Sequence, residues 1–316
     1  MKHFDLTIVG ELCLDLILEG LPSELPPERE LLASGLTVTL GSSSAILAHN
    51  AAVLGSRAGF ISRIGGDPLG QISLDRLAAG GVDVSRVKRS GSPAVTGLTV
   101  ILSRPEWRNI LTYPGTMFDL CYDDLDFAYL TDSRHFHLSS FFLHRKLLPR
   151  MADVFASMKA AGLTTSLDVN DDPEDRWDSG VWDVLKHVDI FFLNERELKK
   201  LTGVHDLQAG IERMAKTVPF LAVKLGAEGG LLRHEGTELR SPAIPVTVAD
   251  AVGAGDSFDA GFLHQFLRGA PIQTCLDFAN AAGSFSATRS GGTEAFRDRV
   301  HLEDFFGRHW PMGMTR

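Results

Sequence analysis

TTSLDVNDDPEDRWDSGVWDVLKHVDIFFLN, residues 164–194, reads as strand, helix, strand. TTSLDVN and DIFFLN are short runs rich in apolar and β-branched residues, and VWDVLKHV between them carries a helical pattern. The same alternation continues on both sides. Before it come a strand, SRHFHLSS (133–140), and a helix, RKLLPRMADVFASMKAAG (145–162). After it come a helix, ERELKKLTG (195–203), and strands in PFLAVKLG (219–226) and GGLLRHEG (229–236), the latter forming a hairpin with TELRSP (237–242). Two helices close the series, DSFDAGFLHQFLRG (256–269) and IQTCLDFANAAGSFSATRSGG (272–292). Strands alternating with helices predict an α/β fold with a mostly parallel sheet covered on both faces.

The N-terminal third reads differently. DLTIVGELCLDLIL (5–18) predicts one strand running past Gly10, and ELLASGLTVTLG (30–41) a second strand pair. SSAILAHNAAVLG (43–55) is helical, with Ala45, Ala48 and Ala52 at helical spacing and Gly55 as its stop. AGFISRIG (58–65) is a strand, and PLGQISLDRLAAGG (68–81) a helix with Pro68 at its start. AVTGLTVILS (94–103) and RNILTYPG (108–115) are short strands interrupted by RPEW. The strand-rich stretches near 12–40 and 92–113 lack crossover helices and are expected to form a small separate sheet, projecting as a lid on a single domain spanning 1–316.

With 316 residues, 44% hydrophobic and 22% charged, the chain can bury a sizeable core. The net charge of −9 and the absence of dense Lys/Arg runs argue against a nucleic-acid surface. Cys13, Cys121 and Cys275 form no CxxC or Cys/His cluster, so neither a disulfide framework nor zinc is indicated, and a cytoplasmic protein is expected. No apolar stretch approaches the roughly 20 residues of a membrane helix, and Asp5, Glu11 and Asp15 interrupt what would be a leader. His49, His135, His137 and His144 offer no defined metal-ligand spacing and read as structural or surface residues.

DAVGAGDSFDAGFL (250–263) carries the chemistry. A glycine turn entering a helix offers free N–H groups and the positive end of the helix dipole to an anion. Here the mouth of the turn holds Asp256 and no lysine. A carboxylate can take a proton from an alcohol that attacks phosphorus, while the glycines hold the charge that moves. On this reading the helix N-terminus keeps Asp256 ionised. The plainer alternative is a helix-capping Asp.

DAVGAGDSF resembles the D-T-x-G-A-G-D signature of the ribokinase-like (PfkB) family of carbohydrate kinases. IGGDPLG (64–70), NERE (194–197), VKLGAEGG (223–230) and FANAAGSFSATRSGG (278–292) resemble further motifs of that family, in order and over nearly the whole chain. The resemblance implies a three-layer αβα sandwich with a β-sheet lid, and ATP-dependent phosphorylation of a small sugar or sugar-like alcohol. By it, Asp256 is the base and Gly253, Ala254 and Gly255 the anion hole. Asn194 and Glu197 lie near the phosphates and organise Mg²⁺ through water, although N-x-x-E is also a capping box. Lys224, Gly226, Gly229 and Asn280 line the nucleotide pocket. Asp15, Gly41, Ser42, Asp168 and Asn170 contact the sugar. K⁺ would sit in the loop of Asp250 and Val252, near Ser286, Arg289 and Gly291, although Ala295 replaces a serine ligand found in some members. A homodimer through the lid is expected. The rival readings are a nucleoside kinase of the same fold and a catalytically silent sugar or nucleotide sensor.

Two departures concern the substrate. In GSSSAI (41–46), Ser42 stands at the family's second glycine and Ile46 at its sugar-binding asparagine. Asp172 stands where many members have arginine after D-x-N. Asp15, Asp168 and Asn170 suit neutral hydroxyls, so a neutral polyhydroxy substrate is expected. Arg108, on the lid, is the residue expected to supply positive charge if the substrate is anionic.

Overall fold

The computed structural model describes residues 2–104 and 108–310. Thirteen strands are present among them: β1 Phe4–Val9, β2 Leu14–Glu19, β3 Gly35–Leu40, β4 Ala58–Ile64, β5 Asp83–Arg89, β6 Leu98–Ser103, β7 Arg108–Tyr113, β8 Ser133–Leu138, β9 Thr164–Asp168, β10 Ile190–Asn194, β11 Phe220–Lys224, β12 Gly230–His234 and β13 Thr237–Ser241. Nine form one sheet in the order β13-β12-β11-β10-β9-β8-β1-β4-β5, parallel except for β12 and β13 at one edge. The helices are α1 Ser43–Val53, α2 Pro68–Ala79, α3 Phe127–Thr131, α4 Met151–Ala160, α5 Val181–Leu185, α6 Glu195–Thr202, α7 Leu207–Met214, α8 Ala254–Leu267, α9 Ile272–Ser286, α10 Glu294–Arg297 and α11 Arg299–His309.

Strand alternation sorts the core into two layers. On β10, Phe191 and Leu193 join Phe155 of α4, Val184 of α5, Leu198 of α6 and Ile211 of α7. Ile190 and Phe192, facing the other way, join Ala45 and Ala48 of α1, Phe262 of α8 and Leu276 of α9. Helices thus cover both faces, and the parallel strands end together at one rim. Gly261 lets α8 and α9 approach closely: a Cβ there would lie 2.7 Å from the Cβ of Ala282.

The remaining strands form a four-stranded sheet, β3-β2-β6-β7, from the stretches 12–40 and 92–113. It is tied down beyond α9, where Ser290 donates to Glu19 (2.5 Å) and Thr39 to Glu294 (2.8 Å). On one face of it Leu36, at the β3 edge, and Leu111 and Tyr113, at the β7 edge, are more than half exposed, and Ile110 is so on the other face.

Three local expectations need correction. The strand expected to run past Gly10 is two strands in different sheets. Gly10 bonds Ile61 (3.1 Å) and lies hard against Ser44, where a Cβ would meet Oγ at 2.0 Å, and the chain then crosses to the small sheet. In residues 30–41 only Gly35–Leu40 is a strand. β5, an edge strand with a polar sequence, has too few apolar residues to announce itself, and α3, α7, α10 and α11 are likewise additions to the expected elements. Residues 105–107, most of the interrupting RPEW, lie outside the described residues.

The histidines are structural. His135 bonds Thr164 and Ser166, and His137 bonds Ser166 and Ser139, each at 2.7 Å, in a buried polar column between β8 and β9. Burial pushes both imidazoles down to about 3, so they are neutral. His144 bonds the Ser139 carbonyl (3.0 Å), and His49 bonds Asn50 (2.8 Å).

Candidate active site

The site lies at the C-terminal rim of the parallel strands, where open α/β sheets bind ligands. Gly253 opens α8 in a left-handed conformation (φ 74°), and a Cβ there would lie 2.4 Å from the Gly292 Cα. Ala254's N–H turns back to Ala251 (3.3 Å). Those of Gly255 and Asp256 fall in the first turn, which has no intrahelical acceptor. No side chain caps α8, so Asp256 is not the helix cap.

Asp256 is buried, with Ser43 of α1 bonded to its carboxylate. Its carboxyl is pushed up to about 7 by burial, against the pull of Lys224's charge and with repulsion from Asp168. This corrects the expectation that the helix N-terminus keeps it fully ionised, because desolvation outweighs the dipole here. Asp15, at the start of β2, is also buried and lifted to about 7, first by burial and then by the charge of Asp256. Thr99 of β6 bonds Asp15, and Gly41 lies against it so tightly that a Cβ would meet Oδ1 at 2.2 Å. Ser42 adopts φ 72°, the left-handed conformation that glycine usually takes, and donates to Cys13 Sγ (3.2 Å). Ile46 packs between Gly253 and Gly292, as an apolar wall behind the turn.

Asp168 is fully buried and bonded to Lys224 Nζ (2.5 Å) and the Asn170 N–H (3.1 Å). Asn170, at φ 52°, accepts from the Ser140 N–H (2.8 Å). Asp172 turns inward to the N–H groups of Glu174, Arg176 and Trp177, so it shapes its loop and does not repel a ligand. Arg176 pairs with Glu174.

Beside the glycine turn is a cavity of about 580 Å³. Lys224, Gly226, Gly229, Asn280, Ala254 and Gly255 all line it. Asn280 commits its amide to the carbonyls of Ser241 (3.1 Å) and Leu276 (3.2 Å). One wall, Ile244, Pro245, Val246 and Val248, was missed from sequence, although its run of apolar residues between polar neighbours was a visible signal. Asn194 and Glu197 form a full capping box on α6: the Glu197 carboxylate accepts from Asn194's N–H (2.8 Å) and amide (2.6 Å). Burial and the charge of Asp168 lift Glu197 to about 7. Sequence reading also missed Glu11, which is buried and accepts from Ser44 (3.1 Å) and Ser140 (2.7 Å), and so joins α1 to β8.

Asp250 accepts from the N–H groups of Val252 (3.0 Å) and Gly291 (3.2 Å), which joins the two segments expected to surround K⁺. Arg108 reaches Asp250 from the small sheet at 3.9 Å. Ser286 points to the Gly292 carbonyl (3.4 Å), and Arg289 pairs outward with Asp298 (3.3 Å). No helix of the described residues is long and apolar enough to cross a membrane.

The family model described as pfkB family carbohydrate kinase matches residues 4–299. A 2-dehydro-3-deoxygluconokinase of Bacillus subtilis is 30% identical, over 80% of this chain and 82% of its own. An ATP-dependent ribose-1-phosphate kinase of Halopiger xanaduensis is 29% identical, over 81% and 82%. A putative ribokinase II of E. coli, solved with ATP and Mg²⁺, superposes with a TM-score of 0.83 at 24% identity, over 97% of this chain and 100% of that one.

The raised Asp256 pKa fixes a sign for stability. Its ordinary value is 3.8 and its folded value about 7. Between these the folded protein keeps a proton that the unfolded chain releases, so stability falls as pH rises through the window. Asp256→Asn is therefore expected to stabilise the protein at pH 8 by a few kcal/mol, as an order of magnitude, and to change little at pH 4. Urea denaturation at both pH values checks this, and equal effects at the two would contradict it.

Proposed function

Because the chain belongs to the pfkB family of carbohydrate kinases, we propose that it transfers the γ-phosphoryl group of ATP to a hydroxyl of a small, neutral polyhydroxy substrate. The observation that carries this is a buried carboxylate, Asp256, lifted to about 7 and set in the first turn of α8 beside a glycine anion hole. A general base works best with a pKa near the operating pH. The substrate oxygen attacks the γ-phosphorus as its proton passes to Asp256. The new O–P bond forms as the bond to the β,γ-bridging oxygen breaks, and ADP leaves with that electron pair. The free first-turn N–H groups of Gly255 and Asp256 would face the charge that moves. The apolar wall at 244–248 suits an adenine, and Gly226 and Gly229 leave room beside it.

No three acidic, histidine or cysteine side chains among the described residues are grouped to hold a metal directly, so a divalent cation at this acidic rim would be held chiefly through water and phosphate. The charge of Asp168 raises the proton affinity of both Glu197 and Asp256, a sign of negative charge not locally balanced. Oxygen donors of this kind suit Mg²⁺, with Glu197 holding it through water. When bound, the ion neutralises phosphate charge.

Asp15 and Asp256 accept hydrogen bonds from hydroxyls, while the nearby guanidinium of Arg108 is met by Asp250. This supports a neutral substrate over a sugar acid or phosphosugar. With ATP as its donor, the enzyme would work in the cytoplasm. The test is ADP release across neutral sugars, nucleosides, sugar acids and phosphosugars. One neutral substrate is expected to dominate, with kcat/KM rising with pH through about 7. Asp256→Asn is expected to lower kcat by ~10²–10⁴. Wild-type turnover by the Asn variant, or preference for an anionic sugar, would overturn the corresponding part.

We also propose K⁺ near Asp250 and Gly291, where a cation would add to the charge Arg108 brings. Activity is expected to be higher in potassium than in tetramethylammonium salts, and equal rates would leave Arg108 as the sole cation there. Exposed Leu36, Leu111 and Tyr113 on one face of the small sheet support pairing of two copies through that face. Light scattering at micromolar concentration is expected to give a dimer mass, and a monomer mass would refute it.

A further inference from the structure

The glycine turn has a lysine after all, brought from β11. Lys224 stands at the end of that strand, and its ammonium lies 2.5 Å from Asp168 and 3.3 Å from both oxygens of Asp259. Asp168 and Asp259 are fully buried and hydrogen-bonded to each other. Asp168 is held below the usual carboxylate range, despite burial, by Lys224 and by bonds from Asp259 and Asn170. Burial drives Asp259 well above that range, so it keeps its proton and donates it to Asp168. The trio is then an ammonium, a carboxylate and a carboxylic acid, with no net charge.

A buried ion pair contributes little to stability alone, since apolar residues of similar size often do as well. The position of this one suggests another use. Lys224 keeps 12% of its side chain accessible, lines the 580 Å³ cavity, and has Nζ 3.4 Å from a Cβ built on Gly255. Its charge therefore stands against the glycine turn.

We propose that Lys224 is the cation that binds the terminal phosphate of the nucleotide, held ready between Asp168 and Asp259 and turning to the γ-phosphoryl oxygens when the nucleotide enters. The proposal rests on the kinase reading and adds a residue that discriminates triphosphate from diphosphate. Asp259 and Asp168 are positioning residues. As a pair sharing a proton they offer the lysine one net negative charge, enough to orient it without saturating it. Lysine suits this better than arginine, being a compact point charge on a flexible stem.

The experiment is calorimetric titration of the full chain with the Mg²⁺ complexes of ADP and of the β,γ-imido analogue of ATP. Lys224→Met is expected to weaken the triphosphate analogue by ~10-fold or more, the scale of one charge-assisted hydrogen bond, and ADP by less than ~2-fold. A packing defect would weaken both alike. The double variant Lys224→Met/Asp168→Asn removes both charges together, leaves no unpaired buried ion, and is expected to show the same selective loss. Equal losses for the two nucleotides, or none, in either variant would overturn the proposal. Wild-type protein that binds neither nucleotide would overturn the kinase reading and this proposal with it. Wild-type binding with unselective variants would overturn this proposal alone.

Discussion

One positive charge in a dry, acidic cleft governs the site. Lys224 stands among Asp168, Asp259, Asp256 and Glu197, and its charge draws down the proton affinity of each. The four come from three elements: Asp168 from the end of β9, Asp256 and Asp259 from successive turns of α8, and Glu197 from the start of α6. Parallel strands make this possible, because their C-terminal ends meet at one rim while hydrophobic layers fix them from below. The arrangement has too few cations for its carboxylates. Part of the imbalance is met by protons, as on Asp259, and the rest leaves Asp256 and Asp15 poised near neutrality. Such poise costs folding stability, since each buried carboxylate that ionises does so against desolvation. The features that weaken the free protein are therefore those that would make the cleft attractive to a cation.

Close backbone approach is the second constraint. Gly253 against Gly292 and Gly41 against Asp15 bring the α8 turn, the segment after α9 and the loop before α1 to contact distance. Ile46 fills the space between Gly253 and Gly292. Its apolar side chain, at the position where the family resemblance places asparagine, shields the back of the turn from water. Two nearby polar duties fall to neighbours: Ser43 bonds Asp256, and Asn50 bonds Ser257 (2.9 Å) and the Gly292 carbonyl (2.9 Å). What reads in sequence as a lost ligand contact is a change in how the turn is supported.

The parallel sheet was legible because buried strands and their helices carry strong local patterns, as DIFFLN and VWDVLKHV do. Polar β5 carries none, and the close approach of Ser44 to Gly10, where β1 ends, is a contact distant in sequence. The same division holds at the site. Asp256 and its glycines announce themselves, since turn, helix start and acid are adjacent. Lys224 was visible only as a member of a nucleotide-site motif. That it reaches the glycine turn depends on the register of β11 beside β10 and on α8 crossing above, neither of which is written in a short stretch. Asp168 shows the same limit: a strand-end aspartate does not reveal in sequence that Lys224 will pair with it.

Lys224 also joins two tasks that the chain keeps apart. It lines the nucleotide cavity, yet its carboxylate partner Asp168 precedes Asn170, whose side chain is fixed by Ser140, which in turn binds Glu11. Glu11 holds Ser44 of α1, one residue from the Ser43 that bonds Asp256. Polar contacts therefore link Lys224 through Asp168, Asn170, Ser140 and Glu11 to Ser44, and the peptide bond from Ser44 to Ser43 carries the path on to Asp256. Every member is buried or half-buried, so no bulk water relaxes a displaced charge. In such a medium a shift of Lys224 toward a phosphate would leave Asp168 less well compensated and change the field at Asp256. The geometry thus places Asp256 and the 580 Å³ cavity within one electrostatic unit.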